Sequence, residues 1–397
     1  MILTHKFRLY PNKKQKEKLL WTLNKCRQTY NFLLSELQQQ KVIDRSQIQG
    51  ILPDLKICEP ELRSVYAKTL QYECYRLFSN LRGLSQSKKN SRKIGKLRFK
   101  GKNWFKTFTY NQYGFKLINN GKRHQILHLS KIGKIPIRIH RNVREKIKQV
   151  TIKKEQSGKW FASIIEEREE KIRAQSIKNM AGIDLGLENF IYDSDGNKVE
   201  NPKHLYKHSN KLSKLQKKLS KKKLKSKNRL KAKIKVAKQF EKVVNTRNDF
   251  LHKVSRYYIS NYGAIALEDL RIIQMVHNKY LSKSILDASW SKFRQYISYK
   301  AERAGKLLLL VEPRGTTQRC SRCSNKVKKE LWHRTHKCPY CNLEIERDYN
   351  SALEIKNLGL QQIGQELSKF KPVEIALAGN SNMDSSYQLL KQEAFSK

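Results

Sequence analysis

Acidic residues are scarce in this chain. It carries 34 Asp and Glu against 84 Lys and Arg in 397 residues, a formal charge of +50. Self-repulsion on that scale opposes compaction unless a polyanion offsets it, so a large nucleic-acid partner is the natural inference. Long apolar runs are also missing. The longest, Leu307 to Val311, reads as a buried strand and falls far short of the ~20 residues of a spanning helix. This argues against a membrane as the partner. Nothing resembling a secretory leader stands in Met1-Ile2-Leu3-Thr4-His5-Lys6, so a cytoplasmic, nucleoid-associated protein is expected. Cysteine is sparse as well. Of the seven, Cys26, Cys58 and Cys74 sit on apolar faces of helix-like patterns and read as buried thiols in a reducing compartment.

The other four cysteines form a pattern. Cys320 and Cys323 make one C-x-x-C pair, and Cys338 and Cys341 make a second. Each such turn aims two thiolates at one point, which is what a structural, tetrahedral Zn²⁺ requires. Two disulfides or four buried thiols would use the same residues. The shared spacing, and Pro339 in the tight turn of the second pair, favour one zinc. His333 and His336, in the loop between the pairs, are rival ligands. With four cysteines closing the site, they are read as surface or nucleic-acid contacts.

Carboxylates recur at the ends of apolar runs. Ala181-Gly182-Ile183-Asp184 is followed by Phe190-Ile191-Tyr192 and the hairpin signal Asp195-Gly196. Ala264-Ile265-Ala266-Leu267 leads into Glu268 and Asp269, and Asp348 opens a helical pattern through Tyr349, Ala352, Leu353, Ile355 and Leu358. Singly, each acid reads as a cap or a solvated strand end. The order is more telling: strand with Asp184, hairpin, long helical insertion, strand with Glu268, helix, strand, helix opening with Asp348. That is a ribonuclease-H-like order. Asp184, Glu268 and Asp348 would then hold Mg²⁺ for phosphodiester hydrolysis, with two ions about 3.5–4 Å apart activating water and stabilising the leaving oxygen.

The rest of the chain supplies basic surfaces. Ile2 to Tyr10 alternates, with Leu3, Phe7 and Leu9 on one face and Thr4, Lys6 and Arg8 on the other. Pro11 ends that strand, and Asn12 with Gln15 forms a capping box. Two long helices follow, the second starting near Pro60 with the stripe Leu62, Val65, Leu70, Leu77, Leu81, so residues 11–88 form a helical module. Ser85 to Gly95 reads as a linker or basic loop. Six short strands come next, at Lys106–Tyr110, Phe115–Ile118, Gln125–Leu129, Ile135–Ile139, Val150–Lys153 and Trp160–Ile165; they predict a small barrel. Lys100, Lys102, Trp104 and Lys106 interleave aromatic and basic groups, suiting base stacking beside phosphate contacts. Residues 203–240 hold sixteen Lys or Arg and no acid. Leu205, Leu212, Leu215, Leu219, then Leu230, Ile234 and Ala237 predict a helical hairpin or a broken helix with a packed apolar edge. Its lysines are read as phosphate contacts: Lys217, Lys218, Lys221, Lys222, Lys223, Lys225 and Lys227, with Arg229. After Leu360 the pattern fades, so residues 361–397 are expected to be a flexible tail.

At this point the chain resembles a known family, the TnpB proteins of bacterial and archaeal insertion sequences, relatives of type V CRISPR nucleases. The resemblance rests on Gly182 to Gly186, Ala266 to Leu270, Thr316 to Cys323, Cys338 to Cys341 and Arg347 to Ala352. Supporting stretches are Arg247 to Ser255, Leu97 to Lys100, Lys371 to Ala376 and Leu390 to Ala394. It implies an RNA-guided DNA endonuclease whose partners are a guide RNA and target double-stranded DNA, as a monomer or a homodimer on the RNA. It also assigns metal binding to Glu268 rather than Asp269. The implied fold is multidomain α+β. Residues 1–10 and 89–178 would form a wedge β-barrel, and 11–88 an inserted helical recognition domain. Residues 179–315 and 344–360 would form a RuvC-type, RNase-H-like nuclease domain, interrupted by a four-cysteine zinc ribbon at 316–343. A miniature type V CRISPR effector, a guide-loaded repressor that does not cut, and a transposase that joins DNA ends are the alternatives. The repressor would need at least one lost acid, and all three are present.

Overall fold

The computed structural model describes residues 2–40, 43–91, 93, 95–119, 121, 124–143, 146–168, 177, 179–330 and 332–368. The chain divides into two compact units, Met1–Glu170 and Lys171–Lys397.

In the first unit, β1 (Ile2–Leu9) buries Phe7 and Leu9 and turns Lys6 outward, as its alternation predicts. Helix α1 (Lys13–Gln39) begins at the expected capping box, Asn12 accepting from the Gln15 N–H and Gln15 from the Asn12 N–H. Two short helices follow, α2 (Arg45–Gly50) and α3 (Leu52–Cys58). The second long helix does not begin near Pro60. Pro60–Ser64 is a 3₁₀ turn, Val65 and Tyr66 are extended, and α4 runs Ala67–Lys89. The apolar stripe is continuous across this break because a 3₁₀ turn also presents a residue every third position. Half of the expected linker is therefore helix. Cys58 is exposed at the end of α3, contrary to its reading as a buried thiol; Cys26 and Cys74 are buried.

Six further strands complete the unit: β2 (Thr107–Asn111), β3 (Phe115–Ile118), β4 (Gln125–Leu129), β5 (Gly133–Arg138), β6 (Ile147–Lys154) and β7 (Trp160–Glu167). They pair with β1 in the order β2-β6-β7-β1-β5-β4-β3, antiparallel throughout. The sheet is nearly closed. Its end strands share no described ladder, but Tyr110 on β2 donates its hydroxyl to the Ser130 carbonyl beyond β4 (2.8 Å). The interior is filled by Phe7, Phe108, Leu127, Ile137, Ile152 and Ile164.

Glu73 on α4 is fully buried beside Cys26, with Arg76 Nη1 3.2 Å from Oε2. Burial outweighs the arginine and pushes this carboxyl up to about 8. Because its folded pKa lies above the unfolded one, this group's contribution to stability is fully present below about pH 4.5 and is lost as pH rises toward 8. Glu73→Gln should remove that slope. The variant should gain on wild type by about 3–4 kcal/mol between pH 5 and pH 8 in chemical denaturation. An unchanged difference across that range would show that Glu73 is not held protonated.

The second unit is a three-layer arrangement. Strands β8 (Met180–Asp184), β9 (Asn189–Asp193) and β10 (Lys198–Glu200) form an antiparallel meander. The chain then leaves the sheet as α5 (His204–Ser220) and α6 (Lys227–Asn261), returning on β11 (Ala264–Glu268). Helices α7 (Ile272–Met275), α8 (Ser282–Ala288) and α9 (Trp290–Ala304) precede β12 (Leu307–Val311). A small hairpin, β13 (Thr335–Lys337) and β14 (Glu344–Glu346), leads into α10 (Arg347–Ser368). The sheet order is β10-β9-β8-β11-β12, with β8, β11 and β12 parallel. One face buries Ala181, Ile183, Ile265 and Leu267 against Leu251 and Tyr258 of α6 and Phe293 and Ile297 of α9. The other buries Met180, Ala264, Ala266, Leu309 and Val311 against Ile355 of α10.

Glycine makes that second contact possible. A Cβ on Gly182 would collide with the backbone of α10 at Ala352 and Lys356, and one on Gly359 would meet Met180 and Ala266. The helix therefore lies directly on β8 and β11. Three readings change here. Leu307–Val311 is an edge strand with Leu310 part-exposed rather than a buried one. Leu230, expected in the packed edge of the hairpin, is exposed, while Leu212, Val236 and Val243 are buried. Helix α10 continues past Leu360 to Ser368; the remaining tail, with Lys371 to Ala376 and Leu390 to Ala394, lies outside the described residues.

Candidate active site and metal cluster

Strand alternation decides which acids meet. Met180, Gly182 and Asp184 share the face of β8 that α10 covers, and Ala264, Ala266 and Glu268 share that face of β11. Ala266 is level with Gly182 and Leu267 with Ile183, so one step further sets Glu268 beside Asp184. Asp348 stands in the first turn of α10, on the same side. Asp184 is half-buried, and burial together with the negative charges of Glu268 and Asp348 holds its carboxyl well above the usual range. Glu268 is buried and likewise raised, chiefly by burial. Asp269 turns to the opposite face, where it pairs with Arg294 of α9. A groove of about 530 Å³ is lined by both Glu268 and Asp269, with Leu185, Leu270, Trp290 and Arg294.

Three further residues have a place at this site that the sequence reading did not assign them. The Thr316 hydroxyl donates to Glu268 Oε1 at 2.5 Å. Arg347 donates from Nε and Nη2 to Asp348 Oδ1, both at 3.2 Å. Arg334 stands between Asp348 Oδ2 (3.8 Å) and Glu188 Oε2 (2.8 Å), with its guanidinium exposed. Only folding brings Arg334 to Glu188, so no sequence spacing could reveal it. Three clustered carboxylates, two of whose charges raise the proton affinity of Asp184, are a donor set suited to a divalent, oxygen-seeking cation.

The four cysteines come together. Their sulfurs all lie within 4.8 Å of one another, with Cys320 Sγ to Cys341 Sγ at 3.6 Å and Cys323 Sγ to Cys338 Sγ at 3.5 Å. Zn–S bonds of about 2.3 Å give tetrahedral edges near 3.8 Å, so the cluster can hold a metal such as zinc. A disulfide, near 2.05 Å, does not describe it. Both turns share one geometry: Ser324 and Asn342, each just after the second cysteine, have φ of 61° and 56°. Their N–H groups donate to the carbonyls of Cys320 (2.8 Å) and Cys338 (3.0 Å). His336 is fully buried beside Lys329, not on the surface as expected; burial and that lysine lower it to about 4. His333 is exposed.

The expected nucleic-acid contacts are mostly exposed. Lys102, Trp104 and Lys106 project from a loop whose Lys100 main chain is bonded to Asn31 and Arg27 of α1, and Lys100 Nζ lies 5.4 Å from the Trp104 ring. Lys217, Lys218, Lys221, Lys222, Lys223, Lys225 and Lys227 surround the α5–α6 turn, all exposed. Arg229 is half-buried and donates to the Leu219 and Lys222 carbonyls, closing that turn.

Comparison with known proteins gives three family matches. Residues 163–279 match OrfB_IS605, described as a probable transposase; residues 290–355 match the Cas12f1-like TNB domain; and residues 1–41 match an OrfB_IS605 helix-turn-helix domain. The last segment folds here as a strand and one long helix. InsQ of Escherichia coli (strain K12), assigned by name as an RNA-guided DNA endonuclease, is 28% identical over 66% of this chain and 68% of its own length. The CRISPR-associated endodeoxyribonuclease Cas12f1 of Sulfoacidibacillus thermotolerans is 27% identical over 54% of each chain. The solved structure of a Cas12f1-sgRNA-target DNA complex superposes with a TM-score of 0.59 at 16% identity, covering 87% of this chain and 83% of that one, a likeness of fold. Among the described residues no helix is long and apolar enough to cross a membrane. The TnpB-like protein MJ0751 of Methanocaldococcus jannaschii is 30% identical over 62% of this chain and 87% of its own length, and on that match the chain belongs to the TnpB family.

Proposed function

We propose that this chain is an RNA-guided DNA endonuclease of an insertion sequence, cutting target DNA beside a short adjacent motif by Mg²⁺-dependent hydrolysis. The observation that carries this reading is the meeting of Asp184, Glu268 and Asp348 on one face of a mixed sheet, in a chain of charge +50. Relatives named as RNA-guided endonucleases support it. In this reading residues 179–315 and 344–360 are a RuvC-type domain, 316–343 a zinc ribbon, 1–10 and 89–178 the wedge, and 11–88 the recognition domain.

The three acids would hold the divalent cations, which supply an activated water and a counter-charge for the leaving oxygen. Thr316 and Arg347 each occupy one oxygen of an acid and so orient the other. Arg334 offers an exposed cation at the lip, where a phosphate oxygen would arrive. Base pairing with the guide would read the target, and the protein would read the adjacent motif. Zn²⁺ would serve only structurally. A miniature CRISPR effector is the second reading, favoured by the match of residues 290–355 to the Cas12f1-like domain.

The test is programmable cutting. RNA that copurifies with the protein is sequenced, its variable end is replaced, and plasmids bearing the matching target are incubated with the complex and Mg²⁺. Cutting only at the matched site supports the proposal, and no cutting with any copurifying RNA overturns it. An RNA derived from transposon ends, rather than from a repeat array, separates the two readings. The basic turn has its own test. Replacing Lys221, Lys222, Lys223 and Lys225 with Gln should flatten the log–log dependence of duplex binding on salt by up to about 3.6, at about 0.9 per phosphate contact. An unchanged slope would make this turn a solvated surface.

A further inference from the structure

The short segment from Thr316 to Ser321 is tied at its start to Glu268 and at its end to α10, the helix that carries Asp348, with a cysteine of the cluster between them. At its start, buried Thr316 donates to Glu268. At its end, three side chains of α10 grip it. Asn350 is fully buried, accepts from the Ser321 N–H on Oδ1 (3.0 Å) and donates from Nδ2 to the Arg319 carbonyl (2.8 Å). Its carboxamide thus bonds the residues on either side of Cys320. Glu354, also buried, pairs with Arg319 (3.2 Å), and Asn357 donates to the Ser321 carbonyl (2.9 Å). Positions 350, 354 and 357 form one face of a helix. Asp348 belongs to the same turn as Asn350 and points another way, toward Asp184.

We propose that Asn350 is a positioning residue: through the strap 316–321 it couples the four-cysteine cluster to Asp348, so that a filled cluster sets the geometry of the acids. This deepens the metal-dependent reading above and rests on it. The physical reason lies in what the amide does. A buried Asn presents an NH2 donor group and a carbonyl acceptor, and here each bonds a backbone group flanking Cys320, so the strap cannot shift along α10 without leaving buried polar groups unpaired. With Cys320 fixed by a metal, the strap is held at its centre. Without the metal, only these bonds hold it, and the first turn of α10 and Thr316 lose a common anchor.

The test uses full-length protein without nucleic acid and two readouts other than cleavage. Zinc release is followed with a chromogenic chelator. Affinity of the acids for Mn²⁺, used as the probe in place of Mg²⁺, is followed by water-proton relaxation. Asn350→Ala is expected to release zinc faster and to weaken Mn²⁺ binding about tenfold, the scale for loss of a residue that orients a ligand. Asn350→Asp, which keeps the acceptor for Ser321 and loses the donor to Arg319, should fall between. Asn357→Ala lies about 13 Å along the helix from Asp348 at 1.5 Å per residue. It should speed zinc release while leaving Mn²⁺ affinity alone, which a general loosening of the unit would not do. Wild-type protein stripped of zinc should show the weakened Mn²⁺ affinity of Asn350→Ala, and it carries the test if that variant does not fold. Wild-type Mn²⁺ affinity in both Asn350→Ala and zinc-stripped protein overturns the coupling. Failure of untreated wild type to bind Mn²⁺ overturns instead the metal-site reading beneath it.

Discussion

Alanine at Asp184, Glu268 or Asp348 should abolish plasmid cutting, by about a thousandfold or more, while RNA and target binding survive. Each substitution removes an oxygen ligand for the divalent cations, so water is no longer activated and the leaving oxygen is no longer stabilised. Affinity draws on phosphate contacts and guide pairing, which use none of these acids. Loss of a negative charge from Asp184, whose proton affinity its neighbours already raise, should relieve repulsion and leave the fold intact. Asp269→Asn is the matched control, being one residue from Glu268 but on the other face, against Arg294. Asp193 cannot serve as a control. It is fully buried, accepts from the Tyr258 hydroxyl (3.0 Å) and from the Asp195 and Asn197 N–H groups, and its loss would damage the β9–β10 hairpin. The measurement is a cleavage assay run beside filter binding on the same variants. Full cutting by Asp184→Ala would end the nuclease assignment, and lost binding in all three would make the acids structural.

Removing the metal from the cysteine cluster should have the second largest effect. Purified chain should contain about one zinc, since a closed four-thiolate site takes one ion. Cys338→Ser should lose it. The cost should fall on the second unit, because Arg319 and Ser321, on either side of Cys320, are bonded to α10 through Asn350, Glu354 and Asn357. Binding of a structural zinc is folding free energy, so the variant should melt earlier and cut poorly. Elemental analysis and calorimetry check both halves. Normal cutting by a variant lacking all four cysteines would show that the ribbon is peripheral to the acids.

Much of the site was legible because its signals are local. The C-x-x-C pairs declare themselves by spacing, and the sulfurs do converge. Asp184 and Glu268 end apolar strands; period-two alternation puts Glu268 and Asp269 on opposite faces, and the resemblance to TnpB proteins chose Glu268. Asn12 and Gln15 announce a helix start that the structure bears out. Errors gathered where a pattern is shared by two structures. The stripe from Leu62 to Leu81 fits both one long helix and a 3₁₀ turn followed by a helix. Leu230 continues the expected stripe with Ile234 and Ala237 but is exposed.

What the sequence determined by itself was chemistry carried by residue type and near spacing: the basic charge, the thiolate pairs, the strand-end acids and the family that these motifs resemble. What only the tertiary structure decided was which distant groups meet. Gly182 and Gly359 lack a Cβ where α10 crosses the sheet, and this brings Asp348 down to Asp184. Thr316 and Asn350 lie in stretches that carry the resemblance, but their bonding partners, like those of Arg334, come only from that approach. His336 is buried for the same kind of reason: whether a loop histidine meets solvent depends on packing against Lys329, which chain order does not specify. Hydrogen bonds and charges act over a few ångströms, so residues far apart in sequence gain their partners only when the sheet and its helices have closed around them.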